Sequence, residues 1–359
     1  MKKNVKFAIL GAGNGGLSMA GDLVLHGFTV SGLYDRFPEM IEPVQERGGF
    51  EMVGYVMTGF IPIANATTDI GKAVAGADVV TIVVPAFAHE WMAANLAPYL
   101  VDGQTVLLTP GYPGGSLCFR KTLQENGLKA KIDLAEANLI LYSTRIVGPA
   151  MVGIKGIKDY LWIAALPASR TPPVLELLRP AVPQLTPMAN VLEVGLNCTN
   201  PFAHVPTALL NWARVEQDTG EHHFDWHEWV TPTIRRIEHV MDQERGALLK
   251  GMGLPWMPIE EIDRTMYGGR KWKIVAVQGE ISQSSRTIPP RYTEEDVPMG
   301  LVAYASLAQH FGVAMPTINL VIDFADLIRE QDHRKAGRTV ETMGIAKMTP
   351  AQVLEMVNA

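Results

Sequence analysis

The segment "FAILGAGNGGLSMAG", residues 7–21, constrains the fold more than any other part of the chain. It sets Gly11-x-Gly13-x-x-Gly16 directly after the apolar run "VKFAIL" and directly before the helical pattern "GGLSMAGDLVLHG", which Gly27 closes. A second strand pattern, "TVSGLYD", follows at once. The three-glycine spacing alone is common. Between a strand and a helix it is the turn on which a dinucleotide pyrophosphate rests. Gly11 permits the tight turn, Gly13 lets the backbone approach the anion, and Gly16 lets the helix pack closely on the strand. The helix N-terminus adds unpaired N–H groups and the positive end of its dipole. Gly11, Gly13, Asn14, Gly15 and Gly16 are therefore the expected cofactor contacts.

The alternation of strand and helix continues. "ADVVTIVVP" is apolar throughout, as a strand is when helices cover both faces. "EWMAANLAPYL" reads as a helix, "QTVLLTPG" as a strand, "SLCFRKTLQENGL" as a helix ending near Gly127, and "KIDLAEAN" as a further strand. This spacing implies a doubly wound parallel sheet. Past residue 185 the patterns become long and helical, over 189–217, 227–252, 259–267, 298–312 and 316–331. The Pro-rich "RPAVPQLTPM" marks the change. The reading is an α/β dinucleotide-binding domain over 1–185 and an all-α domain over 186–359. A chain of 359 residues is long enough for two cores.

Bulk properties narrow the partners. The formal net charge is -6 and no basic block is long enough to track a phosphate backbone, which argues against nucleic acid. Apolar runs such as "ADVVTIVVPAFA" are too short to span a membrane. The basic start "MKKNVKFAILGAGNGG" ends in a glycine turn and not in a cleavage site, against a signal peptide. Cys118 and Cys198 make neither a disulfide framework nor a zinc set, and a reducing cytoplasm fits.

Asp35 ends the second strand, 24 positions past Gly11, where a carboxylate bonds the ribose 2′-hydroxyl of NAD. Arg36 follows, and an arginine there pairs with the 2′-phosphate of NADP. An aspartate on the strand end repels that phosphate, so the balance leans to NAD. Asp35 also suits a cap on the turn before "RFPEM". Pro85 and Ala86 end the apolar strand on the ligand side of the sheet, where small residues let the cofactor pass. His89 reads as a surface residue at a helix start. Gly111, in "TPGYPGGS", opens the same rim to nicotinamide or substrate, or belongs to an ordinary loop.

In the second half, "NPFAHVPTALLNWA" places His204 between Pro201 and Pro206. Each proline removes an N–H and crowds the preceding turn, so 189–217 is expected to be kinked or broken near His204. The histidine is either a satisfied core residue or a proton carrier. "PPRYTEEDVPMGLVAYASLAQHFGVAMP" holds Arg291 and Asp296. Asp296 suits an N-cap or a partner to the His204 ring; Arg291 suits solvent or a two-bonded grip on a carboxylate.

The segments "ILGAGNGG", "TNPFAHVPTALLNWAR", "RYTEEDVPMGLV", "VAMPTINLVIDFADLI" and "GRTVETMGI" together resemble the octopine and nopaline (opine) dehydrogenase family, most closely its bacterial N-(1-carboxyethyl)norvaline type. The resemblance runs over nearly the whole chain. It implies a Rossmann domain followed by a helical domain of the 6-phosphogluconate-dehydrogenase-like kind. It implies NAD(P)H-dependent condensation of a 2-keto acid with an amino acid to a secondary amine dicarboxylate. It assigns His204 as general acid/base, Asp296 as its partner, Arg291 to the keto-acid carboxylate and Glu136 to a position near the amino acid. A homodimer is compatible with it. Segments 218–230 and 267–290 match nothing in that pattern and leave the amine open.

Two other readings compete. A simple 2-keto acid reductase or 2-hydroxy acid dehydrogenase often uses a helical lysine as proton donor, and this chain has none between Leu192 and Glu228. A non-catalytic NAD(P)-binding sensor would not need His204, Arg291 and Asp296 to converge. In "EHHFDWHEW", His223 and His227 have metal-ligand spacing, but the order around them is wrong for a zinc helix, and an aromatic loop over the cleft is the better reading. No metal is expected. The helix "DQERGALLKGMG" reads as a charged face.

Overall fold

A computed structural model describes residues 5–54, 57–217, 229–266 and 289–359. Twelve strands are present among them: β1 (Lys6–Leu10), β2 (Thr29–Tyr34), β3 (Gly49–Gly54), β4 (Gly59–Pro62), β5 (Ala66–Thr67), β6 (Val79–Ile82), β7 (Thr105–Leu108), β8 (Asp133–Ala137), β9 (Tyr142–Gly148), β10 (Met151–Ile157), β11 (Leu161–Leu166) and β12 (Leu185–Pro187). Eight form one sheet in the order β12-β11-β8-β7-β6-β1-β2-β5. β1 pairs in parallel with β2 on one side and β6 on the other. The chain therefore reverses its direction of travel at β1, and a crevice opens at the carboxyl ends of the strands there. β6 and β7 are buried along their whole length, as the apolar patterns require. The parallel expectation fails at one edge, where β11 runs antiparallel to β8 and carries β12 with it.

A second sheet, β4-β3-β10-β9, has no counterpart in the sequence reading. Its strands are glycine-rich and two pairs of them stand some hundred residues apart, which hides the pairing from local pattern. Val152, Ile154, Met52 and Ile61 pack it against the first helix, Asn14–Leu25.

Every described element after Pro187 is helical. The long pattern over 189–217 is broken, though not at His204. Helices Val191–Leu196, Asn200–Leu210 and Trp212–Glu216 are separated at 197–199 and at 211. Pro201 sits in the first turn of the middle helix, where its missing N–H costs nothing, and Pro206 is carried inside it. Carbonyls released at the first break are taken up by the Tyr304 hydroxyl, 2.9 Å from Leu196 O, and by Arg245 Nη1, 3.2 Å from the same oxygen. Arg245 is fully buried and its Nε lies 2.7 Å from Asp242 Oδ1. The supposed charged face of "DQERGALLKGMG" thus buries an ion pair that braces the break. Among the described residues no helix is long and apolar enough to cross a membrane.

Candidate active site

The glycine turn has the geometry its residues require. Gly11 has φ +113°, and a β-carbon there would stand 2.3 Å from Val83 O. A β-carbon at Gly16 would stand 1.7 Å from Gly11 O, so only glycine lets this helix meet this strand. Gly13 faces open space within 4 Å. The helix Asn14–Leu25 has no side-chain cap and no acidic residue in its first turn. Its N–H groups are left to an anion, and a pyrophosphate fits this cradle. Gly15 packs on Val83 and Ile140. Asn14 points its amide oxygen at Ile146 N, tying the helix to β9. Asp35 Oδ2 accepts the Ala12 N–H at 2.8 Å and Oδ1 the Phe37 N–H at 3.1 Å, so it braces the glycine turn and caps its own. The Arg36 guanidinium lies 5.0 Å from the Phe37 ring centre and 4.7 Å from that of Trp91.

At the rim, several polar bonds join residues far apart in sequence. The Ala86 N–H donates to Glu295 Oε1 at 2.8 Å, and the Ala86 carbonyl accepts from Arg338 at 3.4 Å. Arg338 Nη1 also donates to Gly111 O and Pro113 O, both at 3.1 Å. Pro85 remains exposed beside Ala86. His89 is buried, with Nδ1 3.4 Å from Arg338 Nη2, so the surface reading of it is wrong. Burial, then the Arg338 charge, hold its pKa well below the ordinary value, and it stays neutral. Gly111 is buried, and a β-carbon there would press on Glu136 at 2.8 Å. Its lack of a side chain makes room for Glu136. Glu136 is itself fully buried, accepting the Ser116 N–H at 2.7 Å. Burial pushes its pKa up to about 7.

Across this rim, His204 Nδ1 lies 2.8 Å from Asp296 Oδ2, although 92 positions separate them. A carboxylate oxygen accepts, so the proton sits on Nδ1. Asp296 does not cap a helix. It starts a π-helical turn, Asp296–Leu301, that leads into the helix Val302–His310. Such turns gather at functional sites because they re-aim side chains. Gly300 allows this turn to lie against Pro201: a β-carbon would stand 2.4 Å from the proline ring. That contact sets the helix bearing His204 beside the turn bearing Asp296. The second oxygen of Asp296 accepts the Tyr112 hydroxyl at 2.7 Å. Tyr112 is fully buried and holds φ +63°, a left-handed backbone that costs energy for a side chain. Tyr292 stacks on the His204 ring at 4.0 Å and 9°. Burial lowers the His204 pKa, Asp296 pulls it back up, and Arg291 and Arg145 lower it again. Arg291 Nε is 3.4 Å from Glu295 Oε2, with the arginine side chain 42% exposed.

His204, Asp296 and Arg291 are thus brought together. Tyr112, Tyr292, Glu295 and Arg338 belong to the same assembly and were not singled out by sequence. The tight "TPGYPGGS" turn holds Tyr112, and the family-like segments "RYTEEDVPMGLV" and "GRTVETMGI" hold Tyr292, Glu295 and Arg338, without marking any of them out. Among the described residues no group of three or more ligating side chains is placed to hold a metal. His223 and His227 lie outside the described residues. A depression of about 760 Å³ bounded by Thr171, Arg179 and Pro187 contains none of the residues above.

Comparison with known proteins agrees with this layout. Residues 187–329 match the family described as NAD/NADP octopine/nopaline dehydrogenase, alpha-helical domain, and residues 6–110 match the NAD binding domain of 6-phosphogluconate dehydrogenase. The opine dehydrogenase of Arthrobacter sp. (strain 1C) is 35% identical over 99% of this chain and 100% of its own length. Vitopine synthase of Allorhizobium ampelinum is 25% identical over 98% of this chain and 99% of its own length. Among solved structures, octopine dehydrogenase with NADH and L-arginine superposes with a TM-score of 0.76 at 18% identity, covering 98% of each chain. Yersinopine dehydrogenase with NADP+ gives 0.69 at 15% identity over 99% of this chain and 98% of that one. With a dinucleotide cradle at its first turn and full-length likeness to an opine dehydrogenase, the chain belongs to the opine dehydrogenase family of NAD(P)-dependent oxidoreductases.

Proposed function

We propose that this chain condenses a pyruvate-like 2-keto acid with an amino acid and reduces the resulting imine, with His204 as general acid/base. The observation that carries the reading is the His204–Asp296 bond at 2.8 Å, made across 92 positions and stacked under Tyr292. Asp296 fixes the tautomer, so Nε2 is the ring atom that exchanges a proton with substrate. An imidazole serves both directions: it protonates the leaving hydroxyl of the carbinolamine and, in reverse, takes a proton from the attacking water. The overall balance is keto acid plus amine plus NAD(P)H and a proton, giving secondary amine, NAD(P)+ and water.

Arg291 is the half-exposed cation beside this pair and suits a two-bonded grip on the keto-acid carboxylate. Gly11, Gly13, Asn14, Gly15 and Gly16 would hold the pyrophosphate, and Asp35 the adenosine ribose, with NADH preferred over NADPH. Ala86 and Pro85 would border the nicotinamide side. The cofactor supplies the hydride for the imine carbon. The protein supplies the proton at His204, the position of the carboxylate and the exclusion of water.

The test is NADH oxidation with pyruvate and each common amino acid in turn, repeated with NADPH. Oxidation that needs both the keto acid and an amine supports the reading and identifies the amine. Oxidation with the keto acid alone points to a simple reductase.

A further inference from the structure

Asp35 and Arg36 stand side by side at the end of β2 and favour opposite cofactors. We propose that Trp91, with Phe37, holds the Arg36 guanidinium away from the place of a 2′-phosphate, so that Trp91 is a specificity-determining residue for NADH over NADPH. This assignment rests on the placement of the adenosine ribose beside Asp35.

In the large sheet β1 lies between β2 and β6. The segments that leave the carboxyl ends of β2 and β6 therefore flank the glycine turn from its two sides. Asp35 follows β2 and is tied to that turn: one carboxylate oxygen accepts the Ala12 N–H at 2.8 Å and the other the Phe37 N–H at 3.1 Å. Each oxygen keeps a second lone pair, enough to accept a ribose hydroxyl. The two backbone bonds also pin its negative charge at this spot.

Trp91 comes from the other flank, on the helix His89–Leu96 that follows β6. The Arg36 guanidinium lies 4.7 Å from the centre of the Trp91 ring and 5.0 Å from that of Phe37. Both distances are within cation–π range. Trp91 is 37% exposed and Phe37 50%, so neither ring is there to fill the core. Among the described residues Arg36 makes no hydrogen bond and no ion pair, not even with the adjacent Asp35. Its guanidinium is thus turned from the carboxylate that the ribose would meet and towards the two rings.

An arginine beside the ribose takes a 2′-phosphate through paired N–H bonds. From its present position Arg36 must give up ring contacts to do so. NADPH then meets two costs at this point, repulsion by Asp35 and the loss of those contacts. NADH carries only a hydroxyl there and meets neither.

The experiment measures dissociation constants of NADH and NADPH by titration of the nicotinamide fluorescence. It compares wild type, Trp91→Leu, Trp91→Phe, and Trp91→Leu combined with Arg36→Gln. The readout is the ratio of the two constants, in which any loss of packing common to both cofactors cancels. Trp91→Leu should shift the ratio towards NADPH roughly two- to fivefold, the worth of one exposed cation–π contact. Trp91→Phe keeps an aromatic face and should shift it less. Adding Arg36→Gln to Trp91→Leu should remove the gain. A ratio unchanged in Trp91→Leu overturns the assignment and leaves Trp91 as a wall of the crevice. A ratio moved towards NADH also overturns it, because Trp91 would then steady Arg36 for the phosphate. A gain that survives in the double variant has another source than Arg36 and overturns it as well. Asp35→Ser, titrated alongside, tests the ribose placement on its own: a ratio unmoved there refutes that placement. Movement in Asp35→Ser without movement in Trp91→Leu refutes the Trp91 assignment alone.

Discussion

Replacing Glu136 with glutamine separates a structural carboxyl from a substrate contact. The Glu136 side chain is fully buried; Oε2 accepts the Ser116 N–H and Oε1 has no hydrogen-bond partner among the described residues. Burial pushes its pKa from 4.5 up to about 7, against the opposing pull of the Ser116 bonds and the Arg338 charge. Near pH 4.5 and below, the group is protonated whether the chain is folded or unfolded, and costs nothing. As pH rises from 4.5 towards 7 the unfolded chain gives up the proton and the folded one keeps it. Stability then falls by about 1.4 kcal/mol for each pH step. Above pH 7 both states are ionised and the loss stays near 3 kcal/mol. Glutamine mimics the protonated acid and can still accept from Ser116. Glu136→Gln is therefore expected to match wild type at pH 4.5 and to exceed it by about 3 kcal/mol at pH 8, roughly 4 °C in Tm for a chain of this size. Thermal unfolding followed at both pH values measures this directly. A variant that is equally destabilised at both would show that the carboxyl is ionised and held by Arg338, and the reasoning would fail. A rise in KM for the amine with unchanged stability would restore the substrate role that family resemblance implies.

Three further outcomes follow from the site. His204→Ala should leave NADH binding intact and lower turnover by roughly a hundredfold or more, as removal of a general acid/base does; unchanged turnover takes His204 out of the mechanism. Asp296→Asn removes the group that raises the His204 pKa, so the neutral ring persists to lower pH. Oxidation of the secondary amine needs that neutral ring, and its acid limb should move down from a position already below 6.5, with turnover reduced by roughly 10²–10⁴ through the wrong tautomer; an upward movement refutes the pairing. Asp35→Ser should narrow the preference for NADH over NADPH, because the carboxylate that repels a 2′-phosphate is gone; kcat/KM for the two cofactors, measured side by side, decides it.

What could be read from sequence was set by how local each requirement is. The glycine turn is legible because its requirements fall within six residues: Gly11 and Gly16 have no room for a β-carbon, and Gly13 leaves open space for an anion. The helical second half is legible from its periodicity. The His204–Asp296 pair is only half legible from pattern: a histidine between prolines and an aspartate before a helix each have an ordinary explanation, and their pairing is one alternative beside it until family resemblance favours it. In 189–217 the prolines predict a break near His204, yet Pro201 sits in a first turn and Pro206 inside the helix. The chain bends at 197–199, where Arg245 and Tyr304 satisfy the released carbonyls. The burial of His89 is hidden from local pattern in the same way, since its ring meets Arg338, 249 positions away.

Those misses share a cause that bears on mechanism. Glu295 and Arg338 both come from the helical half, yet they hold the backbone of Ala86, Gly111 and Pro113 at the carboxyl ends of the sheet. Tyr112, in the same loop, reaches back to orient Asp296. The glycine-rich rim and the His204–Asp296 pair are therefore positioned by one set of buried polar bonds that crosses the chain in both directions. Breaking any one leaves a buried polar group unpaired, which costs more than the bond itself returns. The loops lining the nucleotide side accordingly keep their shape only while the helical side is in register with them, and the strained backbone at Tyr112 persists because Asp296 holds the far end of its side chain. Substrate specificity can then vary in segments outside this set without disturbing the distance between His204 and its partner.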